Sequence, residues 1–479
     1  MNLANLDESG GPPLNANEPR PTTDTAAPNS PTGILIGSAL VAALGGLLFG
    51  FDTVVISGTT DALRSVFTLS DLGLGFTVAI ALIGTIFGSI LAGRPADVWG
   101  RKKALIALAI LYLVTALGTA LAWDWVSFLI FRFLGGVAVG GASVVSPLYI
   151  AEISPARYRG RLVAIQQFNI VLGILLAFLS NYFIAQMHLG ETEWRWMLGV
   201  LAAPSALFFL LMLPTLESPR WLVGRGRDDE ARAVLMRLGV DGGSVEQEVA
   251  DIRASIDPEH HKQGESLFRL AYRRPVLLAV AIAAFNQLSG INAVLYYAPQ
   301  IFKMAGADVD SALLQAVAVG GTNLVFTMLA MLVIDHFGRR RLMVIGSVGY
   351  LISLGMTAWA FLTYSERFTM IGNAVVLAGL MLFIASHAFS QGAVIWVFIS
   401  EIFPNRVRAA GQALGSATHW IMAAVISWTF PIIVGKIGAG SVFVFYAAMM
   451  FLQLLWALFV MPETKGVPLE EIQRELGIE

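Results

Sequence analysis

Two charged side chains lie where runs of apolar residues would otherwise exclude charge. Asp52 sits in GGLLFGFDTVVISG, from Gly45 to Gly58, and Arg132 sits in a second apolar run. A carboxylate at membrane depth costs at least about 2.5–3.5 kcal/mol, so it faces a cavity or a partner and marks a pathway. A nearby guanidinium favours the ionised carboxylate, and loss of water favours the neutral acid. A movement that alters either influence would load and release a proton. A structural ion pair, or an acid near a helix end at the surface, is the plainer alternative. Uncharged polar groups gather elsewhere. Asn286, Gln287 and Asn292 fall within FNQLSGIN, with Asn323, Gln167 and His419 in other apolar runs. An amide donates and accepts at once. Asn292 and Tyr296 are four apart, hence on one helix face. Aromatic planes accompany them: Phe49 one turn before Asp52, Trp396 after Gly392, and Trp420 beside His419. Polar residues in membrane helices also act as interhelical glue, and Asn169, Asn181 and Ser289 are read that way.

The elements that must position these groups follow from composition. The chain has 479 residues, 56% apolar and only 13% charged, against about a quarter charged in soluble domains. Apolar runs long enough to cross a bilayer core of about 30 Å recur along its length. Twelve are read: Ile34–Ser57, Leu72–Leu91, Ala104–Trp123, Val126–Ile150, Leu162–Gln186, Trp196–Leu213, Pro275–Phe302, Ala312–Ile334, Leu342–Tyr364, Ile371–Ile399, Gln412–Val434 and Ser441–Val460. The fold class is therefore an all-α polytopic membrane protein; a β-barrel would show short alternating segments. The net charge of −2 points to no nucleic-acid partner, and the absence of cysteine excludes thiolate metal sites and disulfides. His260 and His261 have only Glu259 near them, which is no metal-ligand spacing. No Gly-rich phosphate loop is present. An enzyme is not expected, nor a metal or other cofactor.

Placement of Lys and Arg orients the chain. With both termini inside, 25 of the 31 basic residues fall in inner loops and tails and five in outer loops, leaving Arg132 within the fourth span. The chain also repeats itself. DVWGRKK at Asp97 returns as DHFGRRR at Asp335, AEISPARYR at Ala151 returns as SEIFPNRVR at Ser400, and Glu217-Ser-Pro returns as Glu463-Thr-Lys, at offsets of 238, 249 and 246 residues. Three features in one order at nearly one offset define two homologous halves. The expected organisation is a disordered cytoplasmic tail over 1–33, a six-helix bundle over 34–214, a cytoplasmic linker with short helices over 215–274, a second bundle over 275–461 and a cytoplasmic tail over 462–479. At inner helix ends, Arg101, Glu152, Arg159 and Glu217 in the first half are mirrored by Arg339, Glu401 and Arg408 in the second, where charge-assisted bonds could latch helices together.

Two such halves joined by a linker are the architecture of the major facilitator superfamily, and the motifs resemble its sugar porter family. Asp97-x-x-Gly100-Arg101-Lys102, Asp335-x-x-Gly338-Arg339-Arg340, Glu217-Ser218-Pro219-Arg220, Pro462-Glu463-Thr464-Lys465-Gly466 and NQLSGINAVLYYAPQIF from Asn286 to Phe302 carry the resemblance, which covers nearly everything after residue 34. It implies a multi-pass transporter of the cell membrane, working as a monomer by alternating access on a small sugar. Proton-coupled members carry an Asp and an Arg at the positions matching Asp52 and Arg132, whereas facilitators often carry Asn at the first; the resemblance favours a proton symporter over a uniporter, with a non-transporting sensor more remote. It implies further that Gln167, Asn286, Gln287, Asn292, Asn323, Trp396 and His419 line the sugar pocket, that Phe49 and Trp420 form its wall, that Tyr296 is an outer gate, and that the inner Glu/Arg sets hold the halves together when the protein opens outward. A sugar, a ring of hydroxyls over an apolar face, suits amides and aromatic planes. Ile174, where a xylose-type member has Gln, leans the expectation to a hexose such as glucose. Gln391 and Ala393 replace a Pro-containing stretch, so span ten is expected to be less broken. His387 and His419 are uncommon near a sugar, and each is read as either a neutral hydrogen-bonder or a titrating group. Gly290 is expected to ease bending of span seven.

Overall fold

The computed structural model describes residues 32–240, 244–256, 266–404, 406–467 and 469–478. The expected N-terminal tail, except at its end, and His260 and His261 lie outside them. The described chain is helical. Its membrane-length segments are α1 Gly33–Val55, α2 Asp71–Leu91, α3 Arg101–Ala120, α4 Trp125–Ile153 and α5 Ala156–Ala185, then α6 Gly190–Met212 and α7 Leu270–Met304, α8 Val309–Phe337 and α9 Arg339–Thr363, and α10 Met370–Ile402. The last continuous stretch, Arg408–Phe459, is 52 residues long. At 1.5 Å per residue it would span about 78 Å, far more than a bilayer. It reverses at Gly438, where φ is +78°, so α11 (408–437) and α12 (439–459) are two spans, which makes twelve among the described residues.

Local chemistry sets the helix starts. Asp124 accepts from Ser127 N at 2.7 Å while Ser127 Oγ accepts from Asp124 N at 3.2 Å, a reciprocal cap on α4. Ser70, Asp308 and Thr369 cap α2, α8 and α10 one way only, each side chain accepting from the backbone N–H three residues on. The two repeated basic motifs form the same turn. Gly100 and Gly338 have φ of +99° and +87°, and a Cβ at either would come within 2.3 Å of Glu217 or 2.6 Å of Glu463. Those carboxylates accept from backbone N–H groups opening the next helix: Glu217 from Lys102 at 3.0 Å, and Glu463 from Arg339 and Arg340 at 2.8 and 3.2 Å. Negative charge at a helix N-terminus is favourable. The third repeat read in the sequence is thus the cap of the first.

Two helices depart from regularity where the centre of the bundle needs it. α7 breaks at Gly290, φ +87°, as its glycine implies, and again near Tyr297, two residues before Pro299, which cannot donate into the helix. α10 was expected to be less broken for want of proline, and this is corrected: it splits into Met370–Phe389 and Gln391–Ile402 around Ser390, with φ −116° and ψ −91°. Side-chain anchoring does what proline would do. Ser390 Oγ donates to Ser386 O at 2.6 Å, Gln391 is fully buried and bonded to Tyr350 and Gln453, and Gly346 on α9 leaves the space Ser390 fills.

Between the halves, α2 packs on α11 and α5 on α8. The linker forms helices Pro219–Gly224, Asp228–Leu238 and Val245–Ile256 around a small core including Leu222, Ala231, Leu235 and Val249. It docks on the first half through Trp221 Nε1, which donates to Asp97 O at 2.7 Å.

Candidate functional site

At the centre lies a cavity of about 220 Å³, bounded by both halves. α1 contributes Phe49, α5 Gln167 and Ile174, α7 Asn286, Gln287 and Asn292, α8 Asn323, α10 Trp396, and α11 His419 and Trp420. The seven residues expected to bind and the two expected wall aromatics are thus brought to one space. Among its lining side chains, none carries a carboxylate, ammonium or guanidinium.

The α7 break places the amides. Asn286 and Gln287 end the first segment and Asn292 starts the second, so the backbone reversal at Gly290 turns all three to one network. Gln287 Nε2 donates to Asn286 Oδ1 at 2.9 Å, Asn292 Nδ2 donates to Gln287 Oε1 at 2.8 Å, and Gln287 Nε2 lies 3.3 Å from the His419 ring nitrogens. Aromatic rings continue from there: Trp396 to His419 at 5.1 Å between centroids, His419 to Trp420 at 4.9 Å, and Trp420 to Phe49 of the other half at 5.7 Å. Such a band offers π-faces to the apolar side of a ring while the amides meet hydroxyls.

Beside the cavity, one residue from the lining Thr53, is the charged pair. Arg132 Nη1 donates to Asp52 Oδ1 at 2.7 Å, with both residues buried. Arg132 Nε and Nη2 have no partner among the described residues and border a gap of about 10 Å³ lined by Asp52, Thr115 and Thr119, room for about one water. Tyr296 is buried 2% exposed over this region, with Thr53 as hydrogen-bond partner. It roofs the cavity rather than lining it.

The two ends of the bundle differ. At the end away from the basic turns, Lys303 Nζ donates to Asp61 Oδ2 at 2.7 Å across the halves, Trp428 Nε1 donates to Leu72 O at 3.3 Å, and Trp428 packs on Phe76 at 5.2 Å. Gly75 lets the helices close: a Cβ there would be 2.0 Å from Trp428 O. At the basic end the ion pairs Arg101–Glu152 and Arg339–Glu401, at 2.9 and 2.8 Å, each stay within one half. The other residues expected in cross-half salt bridges take backbone partners in this conformation. Arg159 Nε donates to Ala151 O at 3.1 Å, Arg408 Nε donates to Phe403 O at 3.3 Å, and Glu217 caps α3. Met331 and Ile395 extend the cavity lining towards this end.

The sequence does not single out Thr53, Thr327 or Met331, which also line the cavity. Thr327 was findable, one turn after Asn323, to whose Oδ1 it donates at 3.4 Å. His387 lines the cavity as well.

A twelve-helix bundle of two repeated halves around an uncharged polar cavity is the frame of a membrane transporter, not of an enzyme. The profile of the family described as "Sugar (and other) transporter" matches residues 38–476, and the chain belongs to this sugar porter family of the major facilitator superfamily. The chain is 38% identical to the D-xylose-proton symporter of Escherichia coli over 470 residues, covering 91% of this chain and 94% of that one. It is 36% identical to the glucose transport protein of Synechocystis sp., covering 90% and 95%. The inward-open conformation of the E. coli xylose transporter XylE superposes with a TM-score of 0.81 at 36% identity, covering 92% of this chain and 99% of that one.

Proposed function

We propose that the chain imports a monosaccharide, a hexose such as glucose, together with a proton, by rocking two halves about the central cavity. The observation that carries this is the buried Asp52–Arg132 pair at 2.7 Å, one residue away from an uncharged, amide- and aromatic-lined site. Protonating Asp52 would dissolve the ion pair, and sugar seated against α7 would bias the same helices; each then favours the other. Tyr296, a residue of α7 that reaches the pair's surroundings, is the outer gate in this scheme. The excess of Lys and Arg at one end supports placing both termini on the cytoplasmic side of the cell membrane. That makes the present conformation closed outward. On outward opening the Arg101–Glu152 and Arg339–Glu401 clusters, with Arg159, Glu217 and Arg408, would meet across the inner end as the latch. Ile170 and Ile174, four apart on the α5 wall, suit the methylene of a hexose better than a further hydroxyl. The transport unit is the monomer, since the cavity is complete within one chain.

The test is uptake by proteoliposomes. Wild-type protein accumulates labelled sugar under an inward proton gradient. Asp52→Asn abolishes accumulation yet retains sugar exchange across the membrane. Undiminished accumulation by Asp52→Asn overturns the coupling. Preference for D-xylose over D-glucose overturns the hexose assignment.

A further inference from the structure

His387 lies on the first segment of α10. It lines the cavity and stands at the head of a buried hydrogen-bonded chain through the second half. Tyr350 Oη lies 2.6 Å from His387 Nδ1 and 3.0 Å from Gln391 Oε1. Gln391 bonds to Gln453, and Gln453 bonds to Ser347 Oγ at 2.9 Å. Tyr350, Gln391, Gln453 and Ser347 are fully buried, where an unpaired polar group costs about 1–3 kcal/mol.

The far end of the chain sets its direction. Ser347 has one hydroxyl proton, and Met343 O accepts it at 2.7 Å. Ser347 Oγ must therefore accept from Gln453 Nε2. Gln453 Oε1 then faces Gln391 and accepts from its Nε2, which turns Gln391 Oε1 to Tyr350 and claims the phenolic proton. Ser289 is also within reach of Tyr350, but its proton is committed to Asn286 O at 2.6 Å, so it cannot donate to the phenol. What Tyr350 Oη has left for His387 is a lone pair. The neutral imidazole is thus held as the Nδ1–H tautomer, and Nε2 is an acceptor. That edge lies beside Gly392: a Cβ there would be 3.5 Å from Nε2, at the helix break that opens on the cavity.

On α7, Asn286 Oδ1 already accepts from Gln287 and Gln287 Oε1 from Asn292, which leaves each of these oxygens one lone pair; His387 Nε2 adds an acceptor from α10. We infer that His387 is a specificity-determining residue whose Nε2 accepts a hydrogen bond from one hydroxyl of the bound monosaccharide, and that Tyr350, Gln391, Gln453 and Ser347 are positioning residues that fix its tautomer. This rests on the sugar-transport reading and adds to it a demand on the substrate: at one ring position the hydroxyl must donate.

Deoxy and deoxyfluoro sugars separate donation from acceptance, because fluorine replaces the oxygen but brings no proton. Competition with labelled uptake is measured for the deoxy and deoxyfluoro derivatives, position by position, of whichever of D-glucose, D-xylose and L-arabinose is taken up best. In the wild type, one position is expected to show both derivatives weakened together about five- to tenfold, the worth of one neutral hydrogen bond. In His387→Phe the penalty at that position alone disappears. A penalty profile unchanged by His387→Phe overturns the inference while leaving sugar transport standing; failure to take up any of the three sugars overturns both. A second measurement needs no transport. In 15N-histidine-labelled protein, the signal lost in His387→Phe is expected to show a protonated Nδ1 and a bare Nε2, and in Tyr350→Phe to shift towards a mixture. A protonated Nε2 in the wild type overturns the inference.

Discussion

At the scale of single residues, the site works by committing most of its polar atoms internally. Gln287 is the hub: it donates to Asn286, accepts from Asn292 and contacts His419. Gln287→Ala strands two amides and removes a ligand donor, so sugar affinity is expected to fall about tenfold or more at roughly 1.4 kcal/mol per decade. Binding isotherms in detergent would check this, and a loss below twofold would show that the network is scaffolding alone. The amides and Trp396 were legible because uncharged polar side chains are conspicuous in apolar runs. His387 was legible as a histidine near the site, but its partners Tyr350 and Gln391 were not, because they depend on a helix break that the sequence concealed.

At the scale of elements, the caps and breaks carry separable consequences. Hydrogen bonds from Ser311 hold the Asp308 carboxyl below its ordinary range, and those from Ser127 do the same for Asp124. A carboxyl depressed in the folded state stabilises it fully above the unfolded value, and loses that contribution as pH falls through the folded value. The first turns of α8 and α4 are therefore expected to loosen only in strongly acidic solution. Amide exchange of Ser311 and Ser127 would accelerate there, and Asp308→Asn, which still caps, would make the α8 response pH-independent. The α7 break makes a harsher demand. Gly290→Ala places a side chain at φ +87° and 2.5 Å from the Tyr446 ring, a left-handed residue costing about 1–2 kcal/mol before any clash. A lowered melting temperature and slowed transport are expected; an unchanged turnover would deny the bend a role. Here the glycine was readable, since few other residues accept that backbone. The α10 break was not, since it arises from Ser390 and Gln391 finding partners on α9 and α12.

At the scale of the whole molecule, closure of one end is built from close backbone approach more than from charge. Lys303–Asp61 is half-exposed, worth about 0–1 kcal/mol, whereas Gly75 admits the Trp428 carbonyl at a distance no side chain tolerates. Gly75→Leu is expected to hold that end open, and Lys303→Ala to shift the balance only slightly. The chain contains no cysteine, so a single Met331→Cys reports directly. Its labelling from the basic end, strong in the parent, should fall several-fold with Gly75→Leu and hardly change with Lys303→Ala. Equal effects of the two would place the closing energy in the ion pair instead.

The sequence by itself determined the number of spans, their division into two halves, the family and the inventory of polar groups. These follow from local quantities: the length of apolar runs, the bias of Lys and Arg, and motifs that recur at one offset. Only the tertiary structure decided which partners those groups take. That Asp52 meets Arg132, that Glu217 and Glu463 cap helices instead of pairing with arginine, and that α10 breaks without proline all depend on distances between segments far apart in the chain. Composition can say that a buried polar atom must be satisfied; only packing says by what.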